Sequence, residues 1–477
     1  MVSTALDQTK LIMSKKENIL IIGAGLCGSL LALRLGQRGY KVKLVEKRPD
    51  LRKVDQDAGR SINLAFSDRG FRAMRMVGLD DEVKKLCLPM LGRMIHDTQG
   101  NKFMSPYSGR KEKYINSISR PGLNMMLLDA AEKLPNVNLI FNQSCEHVDL
   151  ENTTATFTDY QTKEELNHSA DLIFGTDGAG SVMRNNMFIE KQLRLSFSID
   201  WLSHSYKELT IPALENNGYR TDNNALHIWP RGENMLIALP NLDGSFTVTL
   251  FLAHETGADN FEKLNSPDKV LEYFEREFPD AKALMPNLVE EFFENPTGTL
   301  GTVKCYPWST YGKTLIMGDA AHAIVPFYGQ GMIASFEDVV VLDKYIEKYE
   351  GDWKTIFFEY QKERKVDTDA IADLAIDNFS EMKEHTANPL FQQKRKLEIA
   401  FEENYPNRYN SKYSLVTFND NIPYSVAMRR GRAQDKAILN LLDDGKLSNE
   451  MSLEEKLTLV LKETKDILHD DDVAKNL

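Results

Sequence analysis

The sequence predicts an α/β protein with a Rossmann-type nucleotide-binding domain, an inserted antiparallel β-sheet domain and a C-terminal helical region. Three observations support this fold class. A short β-branched apolar run is followed by a glycine-rich turn and an apolar helical pattern, which is the order of a βαβ unit. Polar and apolar residues alternate between residues 190 and 256, as in half-exposed antiparallel strands. From Phe336 onward, apolar residues recur every three or four positions, as on one helix face.

The βαβ unit comes first along the chain. The apolar run Asn18–Ile22 leads into Gly23-x-Gly25-x-x-Gly28, and a second strand ends at Glu46. The first two glycines allow a tight turn and close approach to a pyrophosphate, and the third lets helix and strand pack closely. The helix N-terminus faces the anion, and a carboxylate at Glu46 can accept both ribose hydroxyls. These features predict dinucleotide binding, although the fingerprint alone does not distinguish FAD from NAD.

The second domain is predicted from antiparallel signals in two parts of the chain. Residues 245–251 alternate polar and apolar after an Asp243-Gly244 turn, and residues 93–107 form a hairpin turning at Gln99-Gly100-Asn101. We therefore expect residues 76–111 and 190–301 to form the antiparallel-sheet substrate domain. Residues 17–75, 112–189 and 302–345 are then the discontinuous nucleotide-binding domain.

Residues 346–477 are predicted to form the helical region. Asn378 falls on the apolar stripe of one helix, and Ser452-x-x-Glu455 is a capping box that starts the last one. Residues 453–468 form an amphipathic pattern too polar to span a membrane. We expect this helix to dock on the protein body. The alternative is a weak peripheral membrane contact.

Composition excludes several classes of function. The formal net charge of −12 disfavours binding to nucleic acid. The four cysteines show no zinc-site spacing, so we expect no metal and a reducing compartment. The polar first 18 residues contain no apolar signal segment, and no apolar run is long enough to cross a membrane. These observations predict a soluble, cytoplasmic protein.

Two later motifs identify the nucleotide. Strands run into an Asp177-Gly178 turn followed by Arg184, and into a Gly318-Asp319 turn followed by His322. With the first fingerprint, in this order, they resemble the DG and GD motifs of the class A flavoprotein monooxygenases, the aromatic hydroxylases. The resemblance implies FAD as the cofactor. The chain has only one GxGxxG, which fits the transient binding of NADPH in that family.

The resemblance is most specific to the branch of this family that hydroxylates L-kynurenine. It rests on residues 59–70, on Arg93-Met-Ile-His96, on Pro106-Tyr107 and on the run from Gly329 through Asp338. It implies that NADPH reduces FAD, that O2 then gives a flavin C4a-hydroperoxide, and that one oxygen is transferred to the ring to form 3-hydroxy-L-kynurenine. The flavin carries the chemistry, so no catalytic side chain is named. The alternatives are a class A hydroxylase acting on another aromatic acid, an FAD-linked reductase, and a non-enzymatic scaffold that retains the flavin fold.

The resemblance also implies the substrate-binding residues. An arginine and a tyrosine from the sheet domain, with an asparagine and a second tyrosine from the helices, would hold the amino-acid end of the substrate. A charge-assisted grip on a carboxylate is the role that suits arginine. Asn378 could instead be satisfied by backbone, and His322 could be a packed histidine or a general base. The predicted substrate-binding residues are Arg93, Tyr107, Asn378, Glu381, Met382, Tyr413, Phe327 and His322.

The predicted cofactor-binding residues include one departure from the family pattern. Where the family has Gly-Gln-Gly-Met-Asn at the flavin-facing loop, this chain has Ile333 in place of the asparagine. A lost amide beside the flavin would alter ring hydrogen bonding and puts full activity in question. The predicted cofactor-binding residues are Gly23, Gly25, Gly28, Glu46, Arg60, Arg120, Asp177, Gly318, Asp319, Gly331, Met332 and Ile333.

Overall fold

The computed structural model describes residues 16–54, 63–384 and 389–475. Within these residues the strands form four sheets, two of which are large. The strands are β1 (Asn18–Ile22), β2 (Lys41–Val45), β3 (Asn63–Phe66), β4 (Cys87–Met90), β5 (Gly92–His96), β6 (Lys102–Pro106), β7 (Ile115–Ser119), β8 (Val137–Ile140), β9 (Gln143–Asp149), β10 (Thr154–Asp159), β11 (Glu165–Ser169), β12 (Leu172–Gly175), β13 (Ser196–Ile211), β14 (Ala225–Arg231), β15 (Asn234–Pro240), β16 (Phe246–Ala253), β17 (Thr297–Tyr306), β18 (Ser309–Thr310) and β19 (Thr314–Ile316).

The helices cover the first sheet and make up most of the chain after Gly331. They are α1 (Leu26–Gln37), α2 (Asp68–Val77), α3 (Asp80–Lys84), α4 (Arg120–Glu132), α5 (Val182–Ile189), α6 (Pro267–Glu277), α7 (Pro279–Lys282), α8 (Leu288–Glu294), α9 (Asp319–His322), α10 (Gly331–Tyr349), α11 (Trp353–Glu384), α12 (Pro389–Asn404), α13 (Lys412–Thr417), α14 (Tyr424–Asp443) and α15 (Leu453–Lys475). Short 3₁₀ turns span Lys191–Leu193 and Pro326–Tyr328.

The first large sheet is parallel over five of its six strands. Its order is β18-β19-β12-β1-β2-β8, with β18 as an antiparallel edge. Strand β1 pairs in parallel with both β2 and β12, and its Ile19–Ile22 side chains are at most 3% exposed. A strand buried on both faces needs the continuous apolar run seen here. The ends of β1, β2 and β12 therefore meet at one edge, where such sheets bind nucleotides.

The second large sheet has seven strands in the order β17-β13-β16-β15-β14-β5-β6. All its pairs are antiparallel except β5 with β14. The predicted hairpin is confirmed, since β5 and β6 pair antiparallel from Gly92–Pro106 to His96–Lys102. Helices α6, α7 and α8 pack their apolar side chains on one face around Trp229 and Phe246. The opposite face is left to line the cavity described below.

The helical region packs against both sheets and against itself. The capping box is confirmed, because the Ser452 backbone N–H donates to Glu455 at 2.8 Å and the Glu455 N–H donates to the Ser452 hydroxyl at 3.2 Å. Leu457 and Val460 of α15 are fully buried against α12 and α14, so the predicted docking of this helix is confirmed. None of the helices in the described ranges combines the length and apolar character needed to cross a bilayer.

The predicted fold class is confirmed by this arrangement of a nucleotide-binding sheet, an inserted antiparallel sheet and C-terminal helices. The exact domain boundaries stay a prediction. Strand β17 runs through the expected boundary at residue 301, because its pairing with β13 extends from Thr297 to Tyr306. Two three-stranded sheets, β11-β10-β9 and β3-β7-β4, complete the described fold.

Candidate active site

A cavity of about 850 Å³ lies between the two large sheets. This volume is at the upper end of the range for small-molecule sites. Its walls come from the strand ends of the parallel sheet, from the inner face of the seven-stranded sheet, and from α10 and α13. It runs from the glycine turn after β1 to a cluster of aromatic side chains at the other end.

The glycine turn has the geometry that a pyrophosphate needs. Gly23 has a φ of +99°, which favours glycine. A Cβ on Gly28 would overlap the Gly23 carbonyl oxygen, so the third glycine is required for helix–strand packing and does not itself line the cavity. A Cβ on Gly25 would meet no protein atom within 4 Å and would project at the cavity wall. The space beside Gly25 is thus open to a ligand at the N-terminus of α1.

Glu46 lies on the cavity wall at the end of β2 and is only 6% exposed. Its Oε2 accepts a hydrogen bond from the Ala24 backbone N–H at 2.8 Å, and its Oε1 accepts from the Arg48 Nε at 2.8 Å. These bonds hold the carboxylate beside the glycine turn. Oε1 also accepts from the Arg48 backbone N–H at 3.1 Å, whereas Oε2 keeps a lone pair with which it could accept from a ribose hydroxyl.

The DG turn places Asp177 on the cavity wall, but its carboxylate caps α5. Asp177 Oδ1 accepts from the Ser181 hydroxyl at 2.6 Å, and Oδ2 accepts from the Val182 N–H at 2.8 Å. Burial raises the pKa of Asp177 above its ordinary value, although these hydrogen bonds oppose the shift. The aspartate therefore fixes the start of α5 and the shape of the turn that faces the cavity.

A hydrogen bond to a buried carboxylate of α10 fixes the GD turn. The Gly318 N–H donates to Asp338 Oδ2 at 2.9 Å, and Gly318 itself does not line the cavity. The next residue, Asp319, does line it, together with Gly331 and Met332 at the start of α10. Arg120 reaches the wall from the first position of α4.

The structure brings most of the predicted cofactor residues together on one wall. Arg60 lies outside the described residues. The predicted residues that line the cavity are Gly23, Gly25, Glu46, Arg120, Asp177, Asp319, Gly331 and Met332.

Arg93 marks the other end of the cavity. Its guanidinium lies over the Tyr413 ring at 4.9 Å and the Tyr107 ring at 5.4 Å. The two rings stack with centroids 5.4 Å apart. Among the described residues, neither the buried Arg93 Nε nor the Tyr107 hydroxyl has a hydrogen-bond partner. A buried guanidinium N–H and a buried hydroxyl without partners are costly, so this corner is suited to an anionic, hydrogen-bonding ligand group.

The two tyrosines are suited to donate to such a group. Burial raises the pKa of Tyr107 well above its ordinary value and also raises that of Tyr413. Both hydroxyls therefore stay protonated at neutral pH. Tyr328 adds a third ring, stacked on Tyr413 at 5.7 Å. Sequence reasoning did not single out Tyr328, although it adjoins the predicted Phe327.

His322 does not line the cavity, which corrects the expectation of a substrate contact. It is 3% exposed, and its Nε2 lies 2.6 Å from Asp338 Oδ2. Arg364 Nε donates to the other Asp338 oxygen at 2.8 Å. The ring thus belongs to a buried ionic cluster between α9, α10 and α11, because Asp338 provides a stronger partner than the apolar cavity would.

Asn378 and Glu381 are also absent from the cavity wall. The Asn378 Nδ2 donates to the Phe327 carbonyl at 2.6 Å, so its amide supports the backbone of a cavity-lining residue. Glu381 forms an ion pair with Lys412. These two predictions of direct substrate contact are therefore not supported by the geometry. Met382 lies in α11, and its side chain is outside the described part.

Ile333 corrects a further expectation. Its side chain is fully buried in the core of the nucleotide-binding sheet and does not line the cavity. A Cβ on Gly70 would come within 2.8 Å of the Ile333 Cδ1, so the side chain points from α10 toward α2. The substitution of the family asparagine therefore changes a packing contact, and the cavity surface is formed by its neighbours Gly331 and Met332.

The middle of the cavity is apolar. Phe327, one of the predicted substrate-binding residues, lines this part and stacks on Phe379 with centroids 4.2 Å apart. The remaining wall comes from alternate positions of the seven-stranded sheet, which sequence reasoning did not assign to the site. Every second residue of β15 faces the cavity, but Met235 through Pro240 are all apolar, so the sequence carried no signal for which face that is. The side chains of this wall are Leu226, Met235, Ile237, Leu239, Thr249 and Phe251.

Comparison with known proteins gives a consistent result at the level of sequence. Residues 16–373 match the family model described as FAD binding domain. The chain is 45% identical over 432 residues to the kynurenine 3-monooxygenase of Myxococcus xanthus, covering 91% of this chain and 92% of that protein. It is 44% identical over 455 residues to the kynurenine 3-monooxygenase of Dictyostelium discoideum, covering 93% and 96%.

Solved structures share the fold at lower identity. The chain is similar to the tetrameric form of 2-methyl-3-hydroxypyridine-5-carboxylic acid oxygenase, with a TM-score of 0.63 at 20% identity over 81% of this chain and 98% of that one. It is also similar to Pseudomonas aeruginosa PqsL in complex with 2-aminobenzoylacetate, with a TM-score of 0.62 at 17% identity over 78% and 98%.

Proposed function

Because this chain belongs to the FAD-binding family of kynurenine 3-monooxygenases, we propose that it hydroxylates L-kynurenine to 3-hydroxy-L-kynurenine. The reaction consumes one NADPH, one proton and one O2, and it yields NADP+ and water. The observation that carries the proposal is Arg93 beside the stacked rings of Tyr107 and Tyr413, without an anionic partner among the described residues, at the end of an apolar cavity.

The residues present fit FAD. Gly25 leaves space at the N-terminus of α1 for the pyrophosphate, and Glu46 can accept hydrogen bonds from the ribose. Asp319 lines the cavity between the glycine turn and the Arg93 end. Gly331 and Met332 bring the first backbone N–H groups of α10 to the cavity wall, where they could face the flavin ring. When bound, FAD supplies the redox chemistry that takes electrons from NADPH and activates O2.

The substrate's amino-acid end fits the Arg93 corner. The carboxylate would receive charge-assisted hydrogen bonds from the guanidinium, and the two protonated tyrosine hydroxyls can donate to the same end. The aromatic ring then lies along the apolar wall formed by Ile237, Leu239 and Phe327. Hydrogen bonds to the amino-acid end therefore fix the position of the aromatic ring relative to the predicted FAD-binding residues.

The chain's second task is to exclude water from the reacting ring. Side chains from β14, β15 and β16 form an apolar wall that continues through Phe251 to Phe327, which stacks on Phe379. An apolar enclosure of this kind suppresses hydrolytic side reactions of an activated oxygen species. The anilino amine already activates the ring, and no protein base is required.

A substrate panel tests the proposal. NADPH oxidation and O2 uptake by the FAD-loaded protein are measured with L-kynurenine, anthranilate and 4-hydroxybenzoate. We expect NADPH oxidation to accelerate with L-kynurenine alone and to match product formation. Coupled oxidation with another aromatic acid and none with kynurenine would favour a different aromatic substrate. NADPH oxidation without O2 uptake would instead favour a reductase.

A further inference from the structure

Helix α12 contacts the backbone segment that carries Tyr107 into the cavity. Arg395 Nη2 donates to the Pro106 carbonyl at 2.7 Å and to the Tyr107 carbonyl at 3.0 Å. One side of the Glu402 carboxylate accepts from the Ser108 hydroxyl at 2.6 Å and from the Gly109 N–H at 3.0 Å. The two side chains are seven positions apart and so lie on the same face of α12.

The other oxygen of Glu402 reaches a different segment. Its Oε1 accepts from the Ser411 N–H at 2.7 Å. Ser411 is the N-cap of α13, the helix that carries Tyr413 two residues later. One carboxylate therefore joins the two segments whose tyrosine rings stack on each other and both contact the Arg93 guanidinium.

The Glu402 carboxylate that joins these two segments is closely packed and ionised. Glu402 is fully buried, and a Cβ on Gly109 would overlap the Ile399 carbonyl of α12. Burial by itself raises the pKa of Glu402, but the hydrogen bonds from Ser108 and Ser411 outweigh it and lower the pKa of this carboxyl below its ordinary value. The carboxylate is thus ionised at neutral pH and accepts at both oxygens.

We propose that Glu402 is a positioning residue for the substrate's carboxylate, because it sets the spacing of Tyr107 and Tyr413 around Arg93. Glu402 touches none of the reacting groups. It acts through the Pro106–Gly109 segment on one side and α13 on the other. The inference rests on the proposed function, since it concerns the corner assigned to the amino-acid end.

Glu402→Gln is the direct test. An amide keeps the size of the side chain but turns one acceptor into a donor, which would then face the N–H of either Gly109 or Ser411. Glu403→Gln is the matched control, since that neighbouring side chain is exposed. Two probes are titrated into the FAD-loaded variants and followed by the flavin absorbance. L-kynurenine has the amino-acid end, and 2′-aminoacetophenone keeps the aromatic amine and ketone but lacks it.

We expect Glu402→Gln to weaken L-kynurenine binding by about tenfold, because a buried charge-assisted bond is lost. Binding of 2′-aminoacetophenone and of FAD should change less than about twofold, and Glu403→Gln should match the wild type. Unchanged L-kynurenine binding would overturn the proposal. Equal losses for both probes would also overturn it, because they would indicate general damage to the cavity.

A milder variant keeps the test valid if Glu402→Gln fails to fold. Ser108→Ala removes one hydroxyl donor to Glu402 and leaves the backbone bonds in place. It should weaken L-kynurenine binding by about threefold and spare 2′-aminoacetophenone, and the absence of this selectivity would overturn the proposal. If the wild type itself binds no L-kynurenine, the proposed function fails. If the wild type binds it and the variants bind it equally well, only the role of Glu402 fails.

Discussion

The Arg93 guanidinium lies against two tyrosine rings, where it meets no carboxylate among the described residues. Arg93→Leu should therefore raise the KM for L-kynurenine by roughly 150-fold, or about 3 kcal/mol, since the substrate carboxylate would be left unpaired. Arg93→Lys should give a smaller rise, because lysine keeps the charge but not the planar fork. Steady-state kinetics with FAD-saturated protein measures both. Equal KM values for wild type and Arg93→Leu would assign the carboxylate to another site.

Ile333 supports a prediction about packing. Ile333→Asn should lower the free energy of unfolding by about 3 kcal/mol, because it places an amide in a fully buried apolar contact beside Gly70. The dissociation constant of FAD should be unaffected at temperatures where the variant is folded. Urea unfolding and flavin fluorescence titration measure the two quantities. Tighter FAD binding at unchanged stability would show that the side chain faces the cofactor.

The sequence motifs singled out Arg93, Tyr107 and Tyr413, which the structure brings together at one end of the cavity, but they did not locate every side chain. Asn378 shares a helix stripe with apolar neighbours, and periodicity can show only that this face is buried. Whether the amide meets a ligand or a backbone carbonyl depends on the 3₁₀ turn Pro326–Tyr328 packed against it. The partner of His322 was likewise not predictable from the sequence around it, since Asp338 lies on a different helix. Tertiary contacts of this kind are not encoded in local spacing.

At the scale of elements, the glycine turn offers a matched pair of variants. Gly28→Ala should lower the free energy of unfolding by about 3 kcal/mol, because its Cβ overlaps the backbone of Gly23. Gly25→Ala should leave that free energy within about 1 kcal/mol and weaken FAD binding, because its Cβ enters only the cavity. Unfolding of the FAD-free protein and FAD titration separate the effects. The reverse pattern would contradict the assignment of this turn.

Two buried histidines of the seven-stranded sheet form a hydrogen-bonded chain with Asp280 of α7. Asp280 Oδ2 lies 2.7 Å from His96 Nδ1, and His96 Nε2 lies 2.8 Å from His227 Nδ1. Burial lowers the pKa of His227 from 6.5 to about 4. The unfolded chain therefore binds a proton that the folded protein excludes between these two values. Stability from this group is present above pH 6.5 and is lost as the pH falls toward 4.

This gives a pH prediction with a defined sign. Between pH 7.5 and pH 5, the wild type should lose about 2 kcal/mol more free energy of unfolding than His227→Gln. His147→Gln, at an exposed position, should behave like the wild type. Urea unfolding followed by tryptophan fluorescence at the two pH values measures the difference. Equal losses for wild type and His227→Gln would show that the ring is protonated in the folded state.

At the scale of the whole molecule, the cavity exists because two sheets of different type face each other. The parallel sheet was predictable from its glycine turn and continuous apolar strand, and the antiparallel sheet from its alternation and turns. Their relative placement was not, because β5 reaches its partner β14 across about 130 residues of sequence. The bridge from α12 to both tyrosine segments was missed for the same reason, since Glu402 carries no local motif.

The central claim is that this cavity uses FAD, NADPH and O2 to add one oxygen atom to L-kynurenine. The most direct measurement is a turnover in ¹⁸O2 with NADPH and L-kynurenine, followed by mass spectrometry of the product and by the ratio of product to NADPH consumed. The account predicts 3-hydroxy-L-kynurenine carrying one ¹⁸O atom, at nearly one product for each NADPH. Unlabelled kynurenine recovered intact while NADPH is consumed to hydrogen peroxide would contradict it.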